Sequence, residues 1–251
     1  MVTRPVDQAQ NLCRLIEELG GRAIRFPVVE IHFTAKEPGS RQQLDTLARQ
    51  LDSYQMAIFI SSNAVRGAQA WLHQAMPTQI KLAAVGKATA EAIKRCWPRE
   101  VICPRQQFDS EGLLALPQLQ HIEQQKIIIF RGQGGREKLA TELENRGASV
   151  TYAEVYHRTV PQTPLTSVQK RAIDAIIVTS NEGLRNLYDI AGAGDRPWLL
   201  ARQLIVISQR TAGLARQLGF RHEAVIAPSA SDQGLLAAVL SWAHNDQKRL
   251  D

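Results

Sequence analysis

Ile58-Phe59-Ile60-Ser61-Ser62-Asn63 recurs as Ile176-Ile177-Val178-Thr179-Ser180-Asn181, and the segments after each copy return in the same order. Leu82-Ala83-Ala84-Val85-Gly86-Lys87-Ala88-Thr89-Ala90 is matched by Leu204-Ile205-Val206-Ile207-Ser208-Gln209-Arg210-Thr211-Ala212, and Val101-Ile102-Cys103-Pro104 by Val225-Ile226-Ala227-Pro228. A Gly-Leu-Leu segment comes next in both, at Gly112 and Gly234, and the interval from Thr89 to Thr211 equals that from Gly112 to Gly234. A constant interval marks two copies of one supersecondary plan. The remaining pair is displaced. Phe130-Arg131-Gly132 through Gly147-Ala148-Ser149-Val150-Thr151-Tyr152 is similar to Thr3-Arg4-Pro5 through Gly21-Arg22-Ala23-Ile24-Arg25-Phe26, at the front of the chain. The duplication is therefore permuted, so that one domain is continuous and the other is split around it.

Short β-rich apolar runs alternate with helical patterns, a rhythm that implies α/β lobes with parallel sheets covered on both faces. The strands are expected near 24–30, 57–61, 82–85, 100–103, 126–130, 149–156, 175–179, 204–208 and 224–227. Leu12, Leu15, Ile16 and Leu19 form one helical stripe, Val65, Ala68, Trp71 and Leu72 another, and Leu214, Ala215 and Leu218 a third. Two extended stretches, Ile31 to Gly39 and His157 to Pro164, read as crossings between domains. They put an inserted lobe at 34–158 and a split lobe at 1–33 and 159–251, joined by a two-stranded linker beside a cleft. If each lobe is a flavodoxin-like sheet of order 2-1-3-4-5, the loops after strands 1 and 3 flank the point where ligands of such sheets bind. Strand 1 ends at Arg4 or Arg131, and strand 3 at Ser180-Asn181 or Ser61-Ser62-Asn63. The front is short: Lys126–Phe130 precede Arg131, whereas only Met1-Val2-Thr3 precede Arg4. The segments near 24–30 and 175–179 are therefore expected to lack part of their partner, and the natural start to lie several residues upstream.

With 251 residues, 44% of them hydrophobic and 22% charged, the chain can bury two cores of ordinary size. A net charge of +6 favours anionic partners, but the basic residues are dispersed and form no tract of the kind that binds nucleic acid. No apolar run approaches the roughly 18 residues that would span a bilayer, and Met1-Val2-Thr3-Arg4 opens no signal region, so a cytoplasmic protein is expected. Cys13, Cys96 and Cys103 lack metal-type spacing, and the six histidines, His73 among them, are scattered. No metal and no cofactor is expected. Gly132-Gln133-Gly134-Gly135 misses the dinucleotide pattern because Glu137 stands where the last glycine belongs, and Lys81 replaces the first glycine of a P-loop before Gly86-Lys87.

Helix starts are the remaining resource, because their exposed N–H groups favour anions. Ser62-Asn63 and Ser180-Asn181 stand between a strand and a helix, where they either cap the helix or bind a ligand. Thr89 and Thr211 lie in the first helical turn after a strand, with hydroxyls that either bond locally or face a ligand. Ser110-Glu111-Gly112 and Ser231-Asp232-Gln233-Gly234 read as caps. Arg4, Arg131 and Arg136 suit carboxylates or phosphates, and equally suit surface ion pairs. Tyr156 ends the strand that enters the second crossing, as a packing residue or as a phenol at the site.

Together these segments resemble uroporphyrinogen-III synthases over essentially the whole chain. The resemblance rests on Thr3-Arg4-Pro5, Pro27-Val28-Val29-Glu30-Ile31, Ser61-Ser62-Asn63-Ala64-Val65, Ala84 through Ala90, Ser110 through Leu114, Phe130-Arg131-Gly132, Ala153-Glu154-Val155-Tyr156, Thr179-Ser180-Asn181 and the segment around Thr211. It implies a cofactor-free lyase that cyclises linear hydroxymethylbilane to uroporphyrinogen III, inverting ring D with loss of water. An azafulvene cation and a spiro intermediate would lie on the path. Tyr156 matches the tyrosine held to assist departure of the hydroxyl, and Arg4, Ser62, Thr89, Ser180, Asn181 and Thr211 would hold the eight substrate carboxylates. Gln209-Arg210 departs from the family pattern before Thr211. The expected partner is the bilane itself, handed over from hydroxymethylbilane synthase to a monomer that binds neither nucleic acid nor membrane. The alternative from another class is a non-catalytic two-lobed anion-binding or regulatory module.

Overall fold

The computed structural model describes residues 1–34, 38–72, 76–135 and 137–247. In chain order its elements are α1 (Val6–Glu18), β1 (Glu30–Phe33), α2 (Pro38–Arg49), β2 (Met56–Phe59), α3 (Ser62–Trp71), β3 (Lys81–Ala84), α4 (Lys87–Cys96), β4 (Val101–Ile102), α5 (Ser110–Leu114) and β5 (Lys126–Gly132). They continue with α6 (Lys138–Asn145), β6 (Ser149–Thr159), α7 (Ser167–Arg171), β7 (Ala175–Val178), α8 (Asn181–Leu200), β8 (Gln203–Val206), α9 (Gln209–Leu218), β9 (Val225–Ile226) and α10 (Asp232–Gln247). Two compact units result, one of Met1–Glu30 with Thr159–Asp251 and one of Ile31–Arg158.

In the continuous unit the strands lie in the order β1-β6-β5-β2-β3-β4, and every pairing from β6 to β4 is parallel. The strands are almost wholly apolar because both faces of the sheet are covered. Met56, Ile58, Ala83, Ile127 and Ile129 pack with Leu113, Leu139 and Leu143 of α5 and α6. The alternate residues Ala57, Phe59, Leu82, Ile128 and Phe130 pack with Val65, Ala68 and Trp71 of α3 and Ile93 of α4. Phe59 and Phe130 are paired across the ladder and stack at 4.6 Å with 5° between their planes. Truncating either to alanine would cost about 3–5 kcal/mol. On the other side of β6, the Thr34 hydroxyl donates to the Glu154 carbonyl at 2.7 Å, and the His32 and His157 rings stack at 5.2 Å.

The β5–β6 ladder holds one irregularity. Arg131 pairs with Glu154 but Gly132 pairs with Tyr156, so Val155 is an extra residue. An extra residue reverses the alternation of side chains beyond it. Val155 and Tyr156 are accordingly both buried in the cluster of Phe59 and Phe130, whereas Tyr152 packs against the opposite one. Two glycines allow the arrangement. A Cβ on Gly132 would lie 2.7 Å from the Tyr156 ring, and one on Gly67 in α3 would lie 2.6 Å from the Val155 carbonyl oxygen.

In the split unit β7-β8-β9 form a parallel sheet, and Met1–Thr3 extend it. Val2 bridges in parallel to both Arg25 and Ile177. Its N–H donates to the Ile24 carbonyl at 2.8 Å, its carbonyl accepts from Phe26 at 2.9 Å, and the Met1 carbonyl accepts from Ile177 at 2.8 Å. The Thr3 hydroxyl adds a bond to the Ile177 carbonyl at 2.8 Å. The expectation that these neighbours lack a partner is thus overturned, because three residues supply the central pairing groups. The core beneath is Val2, Ile177 and Ile205 against Ala9, Leu12 and Cys13 of α1 and Leu235 and Ala238 of α10.

Two further expectations need correction. Residues 24–29 form a single bridge at Arg25 rather than a strand, because the Val28 N–H bonds the Thr3 carbonyl, out of the register that the Phe26 N–H sets on Val2, and β1 begins only at Glu30. The first crossing does not stay extended to Gly39: α2 begins at Pro38, in keeping with the preference of proline for the first helical turn. The other expected strands coincide with β2 to β9 to within three residues at each end.

Gly67→Ala tests the packing of α3 on β6. A mid-helix glycine normally gains about 0.5–1 kcal/mol on becoming alanine, but here the methyl would strike a backbone carbonyl. The expected result is a loss of about 1–3 kcal/mol in urea unfolding; an unchanged or raised stability would show that α3 can move away at no cost.

Candidate functional site

Parallel strands deliver their helices at one edge, and in the split unit two of those helix starts are joined by side chains. Ser180 is the N-cap of α8, accepting the Gly183 N–H at 2.9 Å. Ser208 is the N-cap of α9, accepting the Thr211 N–H at 3.2 Å. The Thr211 hydroxyl lies 2.9 Å from Ser208 Oγ and donates to Asn181 Oδ1 at 2.9 Å. Ser180, Asn181 and Thr211 are thereby brought together, with Ser208 as the member that sequence reasoning passed over; its signal was the same serine-to-third-residue spacing as in the other caps. Two helix N-termini side by side present N–H groups and the positive ends of two dipoles to an anion.

Arg4 is bonded to a third helix start of this unit. Its Nη1 bonds Asp232 Oδ1 at 2.5 Å and its Nη2 the Ala230 carbonyl at 3.1 Å, while Asp232 also accepts from Asn11 at 2.6 Å. Ser231 caps α10 through the Gly234 N–H at 3.1 Å. The arginine at the end of this strand already has a carboxylate, contributed by the start of α10.

In the continuous unit the centre is Tyr156, which is fully buried. Its hydroxyl lies 3.1 Å from Ser61 Oγ and accepts from Arg158 Nη2 at 3.1 Å. The Arg158 guanidinium sits 5.2 Å from the ring centroid. Ser61, not Ser62, is the N-cap of α3: its Oγ accepts the Ala64 N–H at 3.1 Å, and Ser62 is the first helical residue. The recurrence set Ser62 against Ser180, but the capping geometry sets Ser61 against Ser180, and adjacent serines satisfied the string comparison either way. Arg158 was also passed over, although it follows Tyr156 by two residues on one strand. Thr89 is buried in the first turn of α4, whose N-cap, Gly86, offers no side-chain acceptor to the N–H groups there. Exposed apolar side chains stand nearby in sequence or space: Ile60 beside Ser61, and Phe108 against Gly86.

Arg131 is turned inward. It is buried, its Nε donates to the Gly132 carbonyl at 3.1 Å, its Nη2 donates to the Gly134 carbonyl, and its guanidinium lies 4.4 Å from the Tyr152 ring centroid. Burial pushes the Tyr152 phenol above its ordinary range, against the opposing charge of Arg131. At α5 the cap is Asp109 rather than Ser110, and the Gly112 N–H, followed by Gln107, holds its carboxyl below the usual range. Arg136 and His73 lie outside the described residues. Among the described residues no three His, Cys, Asp or Glu side chains are grouped as metal ligands, and no helix is long and apolar enough to cross a membrane.

Residues 10–237 match the family model HEM4, described as uroporphyrinogen-III synthase HemD. The chain is 35% identical to the uroporphyrinogen-III synthase of Escherichia coli (strain K12) over 250 residues, covering 95% of this chain and 98% of that one. It is 32% identical to the enzyme of the same name from Salmonella typhimurium, with 95% and 98% covered. Among solved structures, a mutant uroporphyrinogen III synthase from the extremely thermophilic bacterium Thermus thermophilus superposes with a TM-score of 0.62 at 17% identity, covering 98% of each chain. That likeness is one of fold.

Thr211→Val tests the network of the split unit. Valine keeps the shape but leaves Asn181 Oδ1 without its donor, so stability is expected to fall by about 1–3 kcal/mol. Chemical denaturation measures it, and a midpoint equal to that of the parent would show that the hydroxyl is not needed there.

Proposed function

The chain belongs to the uroporphyrinogen-III synthase family, and we propose how its own residues carry out that reaction. The reaction closes linear hydroxymethylbilane to uroporphyrinogen III, with inversion of ring D and loss of water; it is a lyase reaction and needs no cofactor. The bilane closes readily by itself to the non-inverted isomer. The protein must therefore hold the chain so that attack falls on the substituted carbon, and must help the terminal hydroxyl leave.

The observation that carries the reading is the buried Tyr156 hydroxyl, hydrogen-bonded to Ser61 at the head of α3 and to Arg158. Tyr156 is the proton source for the departing hydroxyl. Ser180, Asn181 and Thr211, with the N–H groups at the starts of α8 and α9, bind acetate and propionate groups. Ser62, Thr89 and the open start of α4 do the same on the continuous unit. Arg4 contributes indirectly, by fixing the start of α10 through Asp232. The same reading takes the two units as permuted copies of one flavodoxin-like plan. Segment 24–28, Met1–Thr3, β7, β8 and β9 follow one another in the split unit as β6, β5, β2, β3 and β4 do in the other, which supports it.

Incubation with freshly prepared hydroxymethylbilane, without added metal, flavin or nucleotide, is expected to give the type III isomer. Type I product alone from folded protein would refute the reading. Tyr156→Phe is expected to lower kcat on the order of 10²-fold while the fold persists, and full turnover by the variant would return Tyr156 to a packing role. Salt should raise KM, because the screening length falls from about 10 Å at 0.1 M to about 3 Å at 1 M; a KM indifferent to salt would point to recognition by shape.

A further inference from the structure

Tyr156 has no exposed surface, yet the group it is asked to protonate belongs to a substrate outside the fold. Its hydroxyl has two partners, and they are not equivalent. Arg158 can only donate, so it occupies a lone pair of the phenol oxygen and cannot take the phenol proton. Ser61 can do both, and it is partly exposed. Its Oγ accepts the Ala64 N–H through one lone pair and has a second free for the phenol proton. With the phenol donating to Ser61, the serine proton is directed away from Tyr156.

We propose that Ser61 is the catalytic residue that meets the leaving hydroxyl, and that Tyr156 acts through it as a buried proton reservoir positioned by Arg158. The inference rests on the reading of Tyr156 as proton source and names the group that makes contact. The step balances. As the terminal C–O bond breaks with its electron pair on oxygen, the Ser61 proton passes to that oxygen and water leaves. The Tyr156 proton moves onto Ser61 Oγ, and the phenolate left behind is stabilised by the Arg158 guanidinium. The proton returns after the spiro intermediate fragments and ring D recloses through its unsubstituted α-carbon, which gives up its hydrogen as the pyrrole regains aromaticity, so no further reagent is required.

The geometry that permits this is specific. Ser61 serves at once as the cap of α3 and as the neighbour of the phenol, and the close approach of α3 at Gly67 to Val155 fixes that helix against the strand carrying Tyr156. Without the extra residue in β6, the ring would point to the face of Tyr152 instead.

The experiment compares Ser61→Asn, Tyr156→Phe, the double variant and Ser61→Thr by steady-state kinetics, with thermal melts as a fold check. Asparagine keeps an oxygen to cap α3 but has no hydroxyl proton to pass on. Ser61→Asn is expected to melt like the parent and to lose kcat on the order of 10²-fold, as Tyr156→Phe does, with KM changed less than about two-fold. The double variant should be no slower than the slower single one, since both interrupt one relay. Ser61→Thr should recover most of the loss. Near-full kcat in Ser61→Asn beside a slow Tyr156→Phe would overturn the relay and leave Tyr156 as the direct acid, as would losses that multiply in the double variant. Full kcat in Tyr156→Phe beside a slow Ser61→Asn would remove Tyr156 from the reaction, and full kcat in both would remove the pair.

Discussion

The single extra residue at Val155 is the constraint on which the proposed chemistry depends. A strand alternates its side chains, so residues 152, 154 and 156 of an unbroken β6 would share a face. The bulge sends Tyr156 to the face of Phe59 and Phe130, which α3 covers. It breaks one step of ladder, and the Gln133 N–H compensates by bonding the Tyr156 carbonyl at 2.8 Å. Gly132 clears space for the ring, and Gly67 lets α3 come close enough for its cap to reach the phenol. Bulges beside functional groups commonly re-aim one side chain in this way.

The two edges differ in how their polar groups are held. In the split unit, short neutral side chains bond one another across two helix starts, and on the proposed reading anion affinity there comes from helix N-termini worth roughly 0.3–1 kcal/mol each when exposed, up to about 2 when partly buried. The arginines at the ends of the corresponding strands are committed elsewhere, Arg4 to Asp232 and Arg131 to its own glycine loop. A polycarboxylate bound by several weak contacts can be released after turnover, whereas one gripped by buried guanidinium pairs would leave slowly. The dispersed +6 charge then acts at longer range.

Much of this was legible in the residues. The recurrence of Ile58–Asn63 in Ile176–Asn181, and the Gly-Leu-Leu segments after it, marked strands and helix starts where they stand, because parallel strands buried on both faces read as continuous apolar runs. What escaped were features set by distant partners. The fate of Arg4 depends on Asp232, more than two hundred residues on, and no local pattern links them. The bulge is invisible because Ala153-Glu154-Val155-Tyr156 alternates acceptably in either register. Adjacent serines concealed which one caps α3, and the β-like run at 24–29 concealed the shift of register at Val28 that leaves it only one bridge.

Rate and isomer are controlled by different parts of such a protein. Loss of the terminal hydroxyl precedes closure to either isomer, so an acid that speeds its departure favours both equally and cannot select between them. Selection has to come from side chains that fix where the carboxylates lie, because only the placement of ring D decides which of its carbons meets the cation. A relay ending in a partly exposed serine suits this separation. The buried phenol stays packed in the core of one unit, where its geometry does not depend on the bound bilane, while the partly exposed Ser61 meets the leaving hydroxyl. On the proposed reading, the groups at the helix starts of each unit are then free to be shaped by the substrate outline rather than by the demands of proton transfer.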